Sequence, residues 1–353
     1  MQNWRDNIRR VTPYTPGEQP AETDIVKLNT NENPYPPAPE VEEALREAAC
    51  ETGLLRRYPD PEAQELVEAL ASFYGMSPER IFVGVGSDDV LAMSFLTFFN
   101  GDRPLLFPDI TYSFYEVWAG LFQIPFEKVP LDEGFHLRKE DYFRENGGII
   151  FPNPNAPTGI EESLEDIEEI LQRNPSSVVI IDEAYVEFGA RSAAELIDRY
   201  DNLLVVQTFS KSRSMAGVRI GFAMGQPELI GALKAVKYSF NSYTMSRLTI
   251  KAGTAALKNR AYFRETAEKI CQTREQAQKR LREFGFILED SRTNFLFVTH
   301  PVWSARKLYE DLKREHIYVR FFPQPRIDNY LRITVGTDEE MSKLYDFLAG
   351  YKG

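Results

Sequence analysis

Short, unbroken apolar runs recur along this chain at intervals that leave room for a helix between them. IFV at 81–83, PLLF at 104–107, GIIF at 148–151, VVII at 178–181, LLVVQ at 203–207 and RIGFAM at 219–224 are runs of this kind. Between several of them the apolar positions take a helical period. Leu66, Leu70 and Phe73 fall on one helix face; Val90, Leu91, Phe95 and Leu96 fall on a second; Leu164, Ile167 and Leu171 fall on a third. A strand that is apolar throughout is buried on both faces, and the alternating helices supply the covering layers. The pattern predicts an α/β fold whose large domain is a mainly parallel sheet with helices on both faces. Asp60 and Pro61 read as the N-cap and first residue of the helix that carries Leu66.

After Pro227 the character changes. Residues 246–284 read as long, charged and helical. They are followed by a strand at FLFV 295–298, a helix near 304–315, strands at IYVR 317–320 and YLRITVG 330–336, and a terminal helix. That order describes a smaller α+β domain. The expected division is an N-terminal arm over 1–35, a large domain over 36–255 and a small domain over 256–353. The arm is rich in Pro, Asn and Thr and has no helical period. Its aromatic residues Trp4, Tyr14 and Tyr35 favour an arm that docks on protein.

Composition narrows the function. Lys and Arg total 41 against 53 Asp and Glu, a net charge of −12, so no basic face invites nucleic acid. Two distant cysteines, Cys50 and Cys271, give no disulfide framework or metal-type spacing, and both read as small core residues. The three histidines, His136, His300 and His316, are too scattered for a His-rich metal site or a Ser-His-Asp hydrolase. The first ten residues lack an apolar signal region, and no run is long enough to span a bilayer. The expectation is a cytoplasmic protein with no metal, no membrane and no nucleic-acid partner.

In an open parallel sheet, ligands sit beyond the carboxyl ends of the strands. Four segments occupy such positions. Gly84-Val85-Gly86-Ser87-Asp88 follows one strand and opens a helix, where backbone N–H groups can meet an anion. There the Asp88 carboxylate has to point away from a phosphate. Asn153-Pro-Asn-Ala-Pro-Thr-Gly159 is a rigid loop offering the Asn155 carboxamide. Asp182 ends a buried strand, where a carboxylate needs a partner such as a protonated pyridine nitrogen, and Tyr185 follows three residues on. Thr208-Phe-Ser-Lys-Ser-Arg-Ser-Met-Ala-Gly-Val-Arg219 places Lys211 among hydroxyls and Arg219, suited to Schiff-base chemistry and phosphate binding. Each segment alone also has a plain structural reading: a tight turn, a helix N-cap, a solvated basic loop. Their joint occurrence, in this order, does not.

The segments NPNAPTG, IIDEAY, TFSKSRSMAGVRIGF and YLRITVGT resemble those of fold-type I pyridoxal-phosphate aminotransferases. VTPYTPGEQP, KLNTNENPYPP and RRYPD are similar to the histidinol-phosphate aminotransferase family among them, and the likeness covers nearly the whole chain. The resemblance implies a seven-stranded sheet and a homodimer with shared active sites. It implies that Lys211 carries pyridoxal 5'-phosphate as a Schiff base and shuttles the substrate proton. Asp182 would pair with the ring nitrogen, Tyr185 and Asn155 would bond the ring oxygen, and Tyr112 would stack on the ring. Ser87, Asp88 by its backbone, Thr208, Ser210 and Arg219 would hold the cofactor phosphate, with Tyr58 reaching it from the neighbouring subunit. Arg332, assisted by Arg320, Tyr14 and Asn155, would grip the substrate. Ile110 stands where such enzymes often have Pro, and Asp88 and Asp89 put two charges in the phosphate turn. The implied reaction joins a phosphorylated amine, histidinol phosphate, to 2-oxoglutarate. Transfer from aromatic amino acids, decarboxylation of threonine phosphate and a non-catalytic cofactor-binding regulatory module are the alternatives.

Overall fold

The computed structural model describes residues 3–22 and 24–353; Met1, Gln2 and Thr23 of the expected arm lie outside them. In chain order β1 (Val26–Lys27) comes first, on the arm, and the large unit then contains α1 (Pro39–Cys50), α2 (Gln64–Tyr74), β2 (Ile81–Gly84), α3 (Ser87–Phe98), β3 (Leu105–Pro108) and α4 (Phe114–Phe122). It continues through β4 (Phe126–Val129), β5 (Gly148–Pro152), α5 (Leu164–Arg173), β6 (Val179–Asp182), β7 (Leu203–Thr208), β8 (Gly221–Gly225) and α6 (Pro227–Phe240). Seven of these strands form one sheet in the order β2-β8-β7-β6-β5-β3-β4. The five from β3 to β7 run parallel, and β8 runs antiparallel to both its neighbours, β2 and β7. The α/β architecture expected from the apolar runs is the one observed.

Alternation along the central strands explains why both faces are covered. Ile149, Phe151, Val179, Ile181, Leu203 and Val205 pack into one core with α2 and α5 residues such as Leu66 and Ile167. Their neighbours Ile150, Ile180, Leu204 and Val206 pack on the opposite face with Val90, Phe95 and Trp118 from α3 and α4. Successive strand residues point to opposite faces, so a continuous apolar run is what two covering layers require.

The remaining elements are α7 (Arg247–Ala256), α8 (Arg260–Glu283), β9 (Phe295–Thr299), α9 (Ala305–Arg314), β10 (Ile317–Tyr318), β11 (Arg320–Phe321), β12 (Tyr330–Thr334) and α10 (Asp338–Gly350). β11, β12 and β9 form a three-stranded antiparallel sheet. β10 stands apart and pairs in parallel with β1, Val26 opposite Ile317.

Several expectations on local structure are corrected. The stretch 246–284 is two helices, because Asn259 caps a fresh start by accepting the Tyr262 N–H at 2.9 Å. The helix expected from Pro61 begins at Gln64, where Ala63 turns left-handed; Asp60 still serves its N-terminus by accepting the Gln64 N–H at 2.8 Å. The run at 317–320 divides at Val319 between two sheets. Cys50 is exposed and Cys271 half-buried, so neither is a core residue.

Candidate active site

The reversed direction of β8 matters for chemistry. It starts where β2 and β7 end, so Gly84, Thr208 and Gly221 lie side by side in register. The loop ends 84–88 and 208–211 and the strand start 219–221 therefore meet at one edge, although they are far apart in sequence. Gly221 is required there: a Cβ would lie 2.2 Å from the Ser87 nitrogen and 2.3 Å from the Gly86 carbonyl carbon. Gly86, at φ +91°, leaves room for the Arg219 guanidinium, 2.4 Å from where its Cβ would be. The result is a cup made of the α3 N-terminus, the Thr208 and Ser210 hydroxyls and Arg219. Thr208 donates to Ser210 Oγ at 3.0 Å, and Arg219 Nη1 donates to the same oxygen at 3.4 Å. A helix N-terminus with hydroxyls and a guanidinium is an anion site.

Asp88 departs from expectation. Its carboxylate does not turn away from the cup. It accepts the Tyr112 hydroxyl at 2.8 Å and lies 3.5 Å from Arg219 Nη2, so an anion in the cup competes with it for that guanidinium.

Asp182 ends β6 and is buried. It accepts the Tyr115 hydroxyl at 2.8 Å and the Ala184 N–H at 3.2 Å, with no cationic side chain paired to it among the described residues. Burial pushes its carboxyl up to about 6, with the two hydrogen bonds opposing. A buried carboxylate short of a positive partner fits a protonated ring nitrogen.

Lys211 follows β7. Its Nζ donates to the Thr30 carbonyl at 3.0 Å and sits 5.7 Å from the Tyr185 ring centroid. Its loop is tied from the N-terminal side: Asn33 Nδ2 donates to the carbonyls of both Lys211 and Ser212 at 3.1 Å.

Opposite the lysine, Arg320 and Arg332 face each other across the β11–β12 pair. Arg332 Nη2 donates to the Asn29 carbonyl at 3.1 Å, while its buried Nε lacks a partner. Burial, and then the neighbouring Arg320 charge, hold its pKa below the usual guanidinium value. Arg320 reaches the carbonyls of Thr15 and Pro16, both at 3.4 Å, which brings the arm across the opening. Tyr14 stacks on Phe114 at 4.2 Å, and burial raises its hydroxyl pKa against the pull of the two arginines.

Tyr14, Ser87, Asp88, Tyr112, Asp182 and Tyr185 line a single cavity of about 630 Å³, together with Thr208, Ser210, Lys211, Arg219, Arg320 and Arg332. One residue expected to line it does not. Asn155 sits just behind the wall that Ala156 and Pro157 form, and its amide donors are committed to the Ile110 carbonyl and Thr158 Oγ1, both at 3.0 Å. Its buried Oδ1 has no partner. Tyr58 is 77% exposed and stacks on Tyr243 at 4.5 Å, away from this cavity. Sequence reasoning missed Tyr115, Thr30, Asn31 and Asn33. Tyr115 stood in the segment ITYSFY, and the others in LNTNENPYPP, where the asparagines were the only signal.

The strand-end lysine and aspartate, with the anion cup and the arginine pair on the same cavity, place the molecule among cofactor-dependent group-transfer enzymes of the open α/β type. The chain belongs to the aminotransferase class I and II family, whose model matches residues 23–348. It is 49% identical over 349 residues to the histidinol-phosphate aminotransferase of Lactococcus lactis subsp. cremoris MG1363, covering 99% of this chain and 98% of that protein. The enzyme of that name from Acinetobacter baylyi is 51% identical over 349 residues, covering 99% and 97% of the two chains. The crystal structure of histidinol-phosphate aminotransferase from Sinorhizobium meliloti in complex with pyridoxal-5'-phosphate superposes with a TM-score of 0.83 at 28% identity, covering 92% of this chain and 90% of that one.

Proposed function

We propose that this chain is a pyridoxal-phosphate-dependent aminotransferase acting between histidinol phosphate and 2-oxoglutarate, yielding imidazole acetol phosphate and glutamate in histidine biosynthesis. The observation that carries this reading is the Arg320–Arg332 pair set over Lys211 in one cavity with a separate anion cup. The cup takes the phosphate of the cofactor, and the arginine pair is left for a second anion. Two guanidinium groups suit a phosphate dianion and also hold the carboxylate of an oxo acid. The name shared by relatives about half identical over nearly full length supports the same donor.

Bound in this cavity, pyridoxal phosphate supplies an electron sink that acidifies the hydrogen on the substrate's amine-bearing carbon. The protein does the rest. Asp182 keeps the ring nitrogen charged, and Ser87, the Asp88 backbone, Thr208, Ser210 and Arg219 fix the phosphate. Lys211 would move the proton between the substrate's amine-bearing carbon and the cofactor carbon on the other side of the nitrogen. Tyr185 faces the ring oxygen, and Tyr112 and Tyr14 close the sides. Asn155 contributes only if its amide leaves Thr158. Tyr58, exposed on this protomer, completes the phosphate site of a second copy in a cytoplasmic homodimer.

Two measurements test this. Lys211→Ala is expected to lose the visible absorbance of the lysine-linked cofactor, and a reducible adduct that survives elsewhere overturns the lysine. In a panel of half-reactions, histidinol phosphate is expected to outrun phenylalanine and threonine phosphate. A tenfold preference for phenylalanine, about 1.4 kcal/mol, overturns the donor.

A further inference from the structure

Asn31 is 1% exposed and takes a left-handed backbone, φ 56°, a conformation that asparagine adopts more readily than most residues. It stands where the arm crosses from β12 to the catalytic cavity. Its backbone N–H donates to Thr334 Oγ1 at 3.0 Å, the Thr334 hydroxyl donates back to Asn31 Oδ1 at 3.0 Å, and Asn31 Nδ2 donates to the Tyr185 hydroxyl oxygen at 2.9 Å. The Asn31 carbonyl accepts from Asn294 Nδ2 at 3.0 Å.

These bonds have a fixed direction. A backbone N–H can only donate, so Thr334 Oγ1 is an acceptor toward it, and its single hydrogen goes to Asn31 Oδ1. The carboxamide is thereby oriented with its NH₂ toward Tyr185. Turning the amide over would leave the Thr334 hydrogen without an acceptor and set two amide hydrogens against Oγ1. Tyr185 thus receives a hydrogen bond from behind, and its one hydroxyl hydrogen is free to point only into the cavity.

We infer that Asn31 is a positioning residue that aims the Tyr185 hydroxyl proton at the ring oxygen of the bound cofactor. The inference rests on the cofactor reading above and adds a residue that acts through Tyr185. A donor on that oxygen stabilises its negative charge and weakens its hold on the proton of the neighbouring lysine–cofactor linkage. The linkage then deprotonates at lower pH, so near neutral pH it can take the proton of an incoming ammonium and free that amine to attack. Asn31 also ties this effect to the anion clamp, because Thr334 and Arg332 project from the same face of β12, and Arg332 bonds the Asn29 carbonyl two residues before Asn31.

The test is a spectrophotometric pH titration of the visible band in wild type, Asn31→Asp, Tyr185→Phe and the double variant. Aspartate tolerates the left-handed backbone but presents only acceptors, so Tyr185 turns its proton toward it. Asn31→Asp is expected to raise the pKa of the band by about one pH unit, in the same direction as Tyr185→Phe. In the double variant the Asn31→Asp shift is expected to vanish, since its route is gone. The charged groups around the linkage, Glu32, Asp88, Asp182, Arg219, Arg320 and Arg332, are common to all four proteins. A shift of equal size in the Tyr185→Phe background means a direct charge effect and overturns the inference. So does a Tyr185→Phe shift with none in Asn31→Asp. Should Asn31→Asp fail to fold, Thr334→Val removes the group that orients the amide and is expected to give a smaller shift of the same sign; an unchanged pKa there overturns the inference. Absence of a visible band in wild type sinks the cofactor reading instead.

Discussion

Asp182 shows how burial sets up a binding site before anything binds. Its carboxyl is held up at about 6 because burial outweighs two hydrogen bonds. The folded-state value lies above the ordinary carboxylate range, so the proton bound there stabilises the cofactor-free fold. That stabilisation is full below about pH 4 and is lost as pH rises through about 6. A cationic ring nitrogen has the opposite preference and needs the ionised form. Cofactor affinity of the cofactor-free protein is therefore expected to level off above about pH 6 and to weaken up to tenfold per pH unit below it. Fluorescence titrations across pH 5–8 read this directly. Asp182→Asn should bind weakly throughout and lose the part of the slope that its parent owes to this carboxyl; an identical slope in both proteins would refute the assignment.

At the level of strands and loops, the anion cup depends on two glycines that fail differently when substituted. Gly221→Ala drives a Cβ into backbone atoms of the α3 N-terminus, which cannot swing aside. It is expected to cost about 1–3 kcal/mol in urea melts of the cofactor-free protein. Gly86→Ala meets only the mobile end of Arg219, though at a strained φ of +91°. It is expected to fold and to retain cofactor poorly. Equal melts for the two variants would show the cup to be looser than its geometry. The parallel core of the sheet was legible because β5, β6 and β7 are buried on both faces and so read as unbroken apolar runs. β4 was not, because Phe126–Val129 is an edge strand with Glu127 and Lys128 exposed, and α4, at Phe114–Phe122, also went unread. The break between α7 and α8 falls at Leu257–Asn259, where no proline or glycine marks it. Strand-end residues of the site could be found because one sheet edge gathers them. Their partners could not: Tyr115 lies 67 positions from Asp182, and Asn31 lies 154 from Tyr185. Nothing local in either segment encodes the meeting.

For the molecule as a whole, the arm is part of the catalytic cavity. Tyr14 sits in its wall, and the carbonyls of Thr15 and Pro16 hold Arg320. Removing residues 1–16 is expected to raise KM for the phosphate substrate about tenfold, roughly 1.4 kcal/mol, with a smaller change in kcat. Steady-state kinetics settle it, and an unchanged KM would mean the arm only covers surface. Further along, the same segment is closed onto β12 by Asn31 and Thr334, which lie 303 positions apart. That span has a consequence for how the enzyme comes into being. A chain still emerging from the ribosome presents Lys211, Asp182 and the complete anion cup long before β12 exists. Until that strand arrives, Tyr185 lacks its guide and Arg332 has not yet been made. The competent site is therefore closed last, by residues from opposite stretches of the message.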